Sequence, residues 1–256
     1  MEETYTTRAI ILNRYPFREH DSKAAIYSLD RGKLELIARG TKKLSSKLAG
    51  HLEPISLSKI MVVRGKQYDY VGSAISENCF LNIKSDLEKL QYAGQAINVF
   101  GKLIKEEQAD ENIFTLIEEY INLLDKAEFE AHNIELFYHF FVLKLLSLLG
   151  YTPELYNCVI CKNKLKEPNG NLFDVAKGGV ICANCSKKSP TSPPTPLLIR
   201  KGEINCLKDC LTISENCIKI LRLVIDKELS QLISLDINNE SKKETCKVIN
   251  SFLDYR

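Results

Sequence analysis

Two short cysteine knuckles, Cys158-Val159-Ile160-Cys161 and Cys182-Ala183-Asn184-Cys185, constrain this chain more than any other feature. A two-residue gap lets both thiolates of one tight turn face a common ion, and two such turns complete the tetrahedron that zinc prefers. The twenty residues between the knuckles fall in the range of zinc ribbons. Leu172-Phe173-Asp174 and Lys177-Gly178-Gly179-Val180-Ile181 within that span read as a hairpin whose paired glycines turn the chain back to the second knuckle. Two other readings stand beside one structural Zn2+: a pair of thioredoxin-like redox motifs, and unliganded cysteines. Each redox motif needs its own βαβ setting, and the flanking pattern shows none. A four-thiolate zinc is coordinatively closed, so the ribbon predicts architecture rather than catalysis.

The chain has nine cysteines, and the other five (Cys79, Cys206, Cys210, Cys217 and Cys246) form no even framework of the kind found in small secreted proteins. They read as reduced core residues. Cys206, Cys210 and Cys217, spaced by four and seven among Leu207, Leu211, Ile213 and Leu221, predict an apolar helical stripe. The most apolar stretch, Ile134 to Leu149, carries Glu135, His139 and Lys144 and is too short and too charged for a membrane span. It predicts a buried helix and no membrane partner. No charged segment followed by an apolar run opens the sequence, so the expectation is a cytoplasmic chain without a secretory signal.

The first eighty residues read as short β-branched strands at Arg8–Asn13, Ala24–Leu29, Lys33–Ala38, Ile55–Val63 and Tyr68–Ile75. Asp30-Arg31-Gly32-Lys33 supplies a hairpin turn with a glycine able to take positive φ. Five short strands with one longer connection predict a small antiparallel barrel, of which the OB-fold is the commonest five-stranded example. An SH3-like barrel fits the same pattern. After Asn82 the period becomes helical. Ser85-Asp86-Leu87-Glu88 and Ser241-Lys242-Lys243-Glu244 each match a capping box, and 113–124 repeats the spacing of one helix face. The aromatics Phe137, Tyr138, Phe140 and Phe141 read as core, or as a groove for a partner. The expected class is α+β and multidomain: an OB-fold nucleic-acid-binding domain at 1–82, a helical domain at 83–153 and 197–256, a zinc ribbon at 154–189 inserted in it, and a Pro-rich surface loop at 190–196.

A net charge of +2 does not imply a globally basic nucleic-acid binder, but the charge is unevenly spread. From Arg31 to Lys66, nine basic residues (Arg31, Lys33, Arg39, Lys42, Lys43, Lys47, Lys59, Arg64 and Lys66) face only Glu35 and Glu53. Such an excess is the footprint expected where a phosphate backbone is tracked, and equally that of a solvated lysine-rich face. Tyr68 and Tyr70 are candidates for stacking on bases if they face outwards. No P-loop, no Gly-x-Ser-x-Gly elbow and no Gly-x-Gly-x-x-Gly turn is present, and His20, His51, His132 and His139 form no spaced set. The reading is a protein without a catalytic residue.

Ala9-Ile10-Ile11-Leu12, Glu19-His20-Asp21-Ser22-Lys23, Arg31-Gly32-Lys33-Leu34, Ala38-Arg39-Gly40-Thr41-Lys42-Lys43 and Ser45-Ser46-Lys47-Leu48, together with Gly178-Gly179-Val180-Ile181-Cys182, resemble the RecO family of bacterial recombinational-repair mediators. The resemblance runs in order to Cys185; 190–196 and the ending Phe252-Leu253-Asp254-Tyr255-Arg256 carry little of it. It implies an OB-fold, a helical domain and a zinc ribbon. It also implies a non-enzymatic, nucleoid-associated protein of the bacterial cytoplasm that binds single- and double-stranded DNA and anneals complementary strands. With RecR it would help load RecA onto gaps covered by single-stranded-DNA-binding protein, whose acidic C-terminal tail would dock on the helical domain. The DNA-binding set carried into this reading is Arg31, Lys33, Arg39, Lys42, Lys43, Lys47, Arg64 and Lys66. A zinc-ribbon adaptor in transcription or RNA processing and a cryptic nuclease are the readings from other classes.

Overall fold

The computed structural model describes residues 3–128, 133–166, 170–187 and 210–256. The Pro-rich segment 190–196, Cys206 and His132 lie outside these residues. The chain divides into two compact units, Met1–Ile134 and Glu135–Arg256.

In the first unit, strands β1 (Thr4–Pro16), β2 (Ser22–Ser28), β3 (Gly32–Ala38), β4 (Ser56–Val63) and β5 (Asp69–Asn78) close into a barrel of order β1-β2-β3-β5-β4. Every pairing is antiparallel except β3 with β5, where Leu36 and Ile37 face Asp69 and Tyr70. This is the strand order of an OB-fold and excludes the SH3-like alternative. Bulges at Ile11/Asn13 in β1 and along the β4–β5 ladder supply the local bend that closing a short sheet requires. Ala9, Ile11, Ala24, Ile26, Leu36, Ile60, Val62 and Val71 fill the interior.

The barrel wall is buried on its outer face as well, because Tyr27 points away from that interior and is 0% exposed. Its ring meets Phe100 of α2 (Leu87–Leu103) edge-on at 4.9 Å and stacks near Phe114 of α3 (Glu111–Lys126) at 6.3 Å. Helices α1 (Leu81–Ser85), α2 and α3 therefore belong to the same compact unit as the barrel. The β2–β3 hairpin tip touches the segment before α3: a Cβ at Gly32, whose φ is +70°, would lie 2.2 Å from the Gln108 carbonyl oxygen. Only glycine fits that approach. The capping residue of α2 is Asp86, not Ser85: its carboxylate accepts from the Glu88 and Lys89 amides at 2.9 and 3.0 Å, while Ser85 is still the last residue of α1. Asp86 holds the extended backbone a cap needs.

The second unit contains α4 (Asn133–Leu148) from Glu135 onward, a three-stranded sheet and the C-terminal helices. Strands β6 (Asn171–Asp174) and β7 (Gly179–Ile181) form the expected hairpin, Leu172 facing Ile181, and β8 (Cys210–Ile213) pairs on the other side of β6. The short helix α5 (Ala183–Lys187) follows β7. The helical stripe expected of Cys210 and Cys217 is broken. Cys210 lies in β8, Ser214 caps α6 (Glu215–Asp226), and Cys217 is buried on that helix. After the one-turn α7 (Leu229–Leu232) comes α8 (Asn239–Asp254), which starts two residues before Ser241. Asn238 is its cap, accepting from the Ser241 amide at 2.9 Å, so Glu244 is free to accept instead from the Ser214 amide and hydroxyl at 2.8 and 2.5 Å. Among the described residues no helix is long and apolar enough to cross a membrane.

Candidate metal centre and nucleic-acid interface

The four knuckle cysteines converge: the sulfurs of Cys158, Cys161, Cys182 and Cys185 all lie within 4.8 Å of one another. Tetrahedral zinc with Zn–S bonds of ~2.3 Å spaces its sulfurs about 3.8 Å apart. Cys161 and Cys182 sulfurs are 3.8 Å apart. The first knuckle turns because Lys162 takes a left-handed φ of +62° and its amide bonds the Cys158 carbonyl at 2.9 Å. The second is brought against it by backbone bonds from Val159 to Val180 and from Val180 to Glu154, both 2.9 Å. Gly179 permits the approach, since a Cβ there would lie 2.6 Å from the Val159 side chain and 2.7 Å from the Glu154 carbonyl oxygen.

Burial pushes the Cys158 thiol up, but amides aimed at its sulfur, including those of Cys182 at 3.3 Å and Ile160 at 3.4 Å, overcome it and bring the thiol down to about 6. Burial and the crowding of neighbouring sulfurs push Cys185 up to about 12. Four thiols crowded this closely cannot all ionise unless a cation holds their charge. Four converging sulfurs fit one thiophilic ion, whereas two separate redox pairs need no such convergence. Cys158, Cys161, Cys182 and Cys185 would hold the ion.

The basic residues fall into separate groups. Arg39, Lys42, Lys43 and Lys47 are exposed on the β3–β4 connection. That connection is held in place: the Asp21 carboxylate accepts from the Gly40 amide at 2.9 Å, buried Thr41 donates to the Ser22 hydroxyl at 2.8 Å, and the Lys42 amide donates to the His20 carbonyl at 3.1 Å. Arg39 lies over the Tyr70 ring at 4.2 Å, and Lys42 Nζ donates to the Arg18 carbonyl at 2.7 Å. Arg31 and Arg64 share the Tyr5 ring, at 4.3 and 6.0 Å, and Arg64 also pairs with Glu3 at 4.0 Å. Lys66 is exposed in the β4–β5 turn. Lys33 stands apart, its Nζ donating at 2.6 Å to the Gly101 carbonyl in the last turn of α2.

Phe17, Arg18 and Lys23, outside the charge-rich window 31–66 and not singled out as binding residues from the sequence, form one cluster with Tyr68, which was. Phe17 and Tyr68 meet edge-on at 5.9 Å, with Lys23 over both rings at 5.3 and 5.7 Å and Arg18 over Phe17 at 5.0 Å. Tyr68 and Tyr70 are half-buried, each under a cation. The signal was present as Phe17-Arg18 and Lys23 around the β1–β2 turn, which the fold places beside the β3–β4 connection.

Comparison with known proteins gives one result throughout. Residues 1–80 match the family model described as recombination protein O, N terminal, and residues 84–201 match recombination protein O, C terminal. The chain is 30% identical to a DNA repair protein RecO of Dehalococcoides mccartyi, across 94% of this chain and 85% of that protein. It is 26% identical to the DNA repair protein RecO of Desulforamulus reducens, across 98% and 89%, and 27% identical to that of Syntrophus aciditrophicus, across 98% and 90%.

Proposed function

The chain belongs to the RecO family, and from that membership we propose that it is a DNA repair and recombination mediator that binds single- and double-stranded DNA and anneals complementary strands. In this reading it acts with RecR to help load RecA onto gaps covered by single-stranded-DNA-binding protein, whose acidic tail it receives, and it works in the bacterial cytoplasm at the nucleoid. The observation that carries the proposal is the β3–β4 connection, where Arg39, Lys42, Lys43 and Lys47 are presented on a segment anchored to Asp21 and Ser22. Cations fixed to a rigid barrel neutralise phosphates without first being ordered. Phe17, Tyr68 and Tyr70 add aromatic surface beside them, the kind on which unpaired bases stack.

Annealing needs charge neutralisation and exposed bases; no bond is made or broken, so the reading requires no catalytic residue. Zinc in the ribbon is structural and lies outside the DNA chemistry. The test is strand annealing of labelled complementary oligonucleotides, with and without magnesium. Annealing without cleavage is expected. Magnesium-dependent cleavage, or a strong preference for RNA with no annealing of DNA, overturns the proposal.

A further inference from the structure

A second set of metal-ligating side chains lies away from the ribbon, on α4 and α8 of the second unit. Glu135 and His139 sit one turn apart on α4, and Cys246 approaches from α8; their ligand atoms all lie within 4.8 Å of one another. His139 is 3% exposed and Cys246 6%. The Nδ1 atom of His139 is 2.7 Å from the Glu135 carbonyl oxygen, which can only accept, so the ring proton belongs on Nδ1 and Nε2 presents a bare lone pair. That Nε2 atom is fully buried and has no hydrogen-bond partner among the described residues.

An unpaired buried acceptor is costly and calls for an explanation. Metal-bound histidines characteristically donate their other ring N–H to a backbone carbonyl or carboxylate, which fixes the tautomer and aims the lone pair at the ion. His139 already holds that arrangement. Zn–N, Zn–O and Zn–S bonds of ~2.0–2.3 Å set ligand atoms roughly 3.3–3.6 Å apart in a tetrahedron, so an ion draws together three atoms that already lie within 4.8 Å of one another. The Glu135 carboxylate and a Cys246 thiolate, formed as the metal displaces the thiol proton, would together balance the charge of a divalent cation.

We propose that Glu135, His139 and Cys246 form a second binding site for a divalent transition metal of the zinc type, clipping α4 to α8 independently of the four-cysteine ribbon. The intact chain, dialysed against micromolar free Zn2+, is assayed for bound metal per chain, with circular dichroism as a check on folding. Two ions per chain are expected. Cys246→Ser and His139→Gln each return the count to one while the ribbon ion stays. Glu135→Gln, at a half-exposed position that tolerates change, weakens the second ion if the buried variants fail to fold. A Co2+-loaded chain should lose one of two thiolate-to-metal absorption components in Cys246→Ser. One ion per chain in the unaltered protein overturns the proposal, and so does a count of two that all three variants leave unchanged.

Discussion

Replacing Lys42, Lys43 and Lys47 together by alanine separates a phosphate-tracking surface from a merely solvated one, provided that Lys33→Ala is measured beside it. Each phosphate neutralised on a single strand contributes about 0.7 to the slope of log affinity against log salt, so removing three contacts should flatten that slope by about 2. Across a fourfold rise in salt, that difference amounts to roughly a 20-fold smaller loss of affinity than the unaltered protein shows. Lys43 and Lys47 are exposed, and Lys42 gives up only its bond to the Arg18 carbonyl, so the barrel should keep its melting temperature. Lys33 behaves in the opposite way. Its ammonium is spent on the Gly101 carbonyl at the end of α2, so its loss should cost about 0.5–1.5 kcal/mol of stability and leave the salt slope alone. Fluorescence anisotropy of a labelled oligonucleotide over a salt series reads both. An unchanged slope in the triple variant, or a slope that Lys33→Ala flattens as much per charge, refutes the reasoning.

Two further outcomes follow from the packing. Cys161→Ser should release the ribbon metal and lower the melting temperature first, with DNA binding reduced only as a result; a variant that kept its melting temperature yet lost annealing would reverse that order. Tyr27→Ala should cost about 3–5 kcal/mol, as large-to-small changes of buried aromatics do, and should melt the barrel with α2 and α3, seen as coincident loss of strand and helix signals in a denaturant titration.

The parts of the fold that are local in sequence were legible in it. Ligand spacing within each knuckle is set by four residues, and the strands carry their β-branched pattern on their face. What escaped was decided at long range. Cys210 obeys a helical spacing, yet the free edge of β6 claims it for a strand, a partnership that no local window contains. Ser241 and Glu244 have capping-box chemistry, but the helix starts earlier, with Asn238 as its cap accepting from the Ser241 amide, and Glu244 serves Ser214 instead. The run Ala24-Ala25-Ile26-Tyr27 lacks the alternation of a half-wetted strand, and that was a readable sign of burial on both faces by α2 and α3. A count of charges could not tell the exposed lysines of the β3–β4 connection from Lys33, whose partner is sixty-eight residues away.

The barrel is joined unevenly. Four of its ladders run along most of their strands, while β3 meets β5 only through Leu36 with Asp69 and Ile37 with Tyr70. A hoop opens at its thinnest join, so the least costly local distortion of this one is a parting of that seam. Arg39 leaves the end of β3 and lies across it onto Tyr70 of β5, like a clasp. Arg39 therefore supplies a side-chain tie at the point of the hoop where the backbone ladder is shortest.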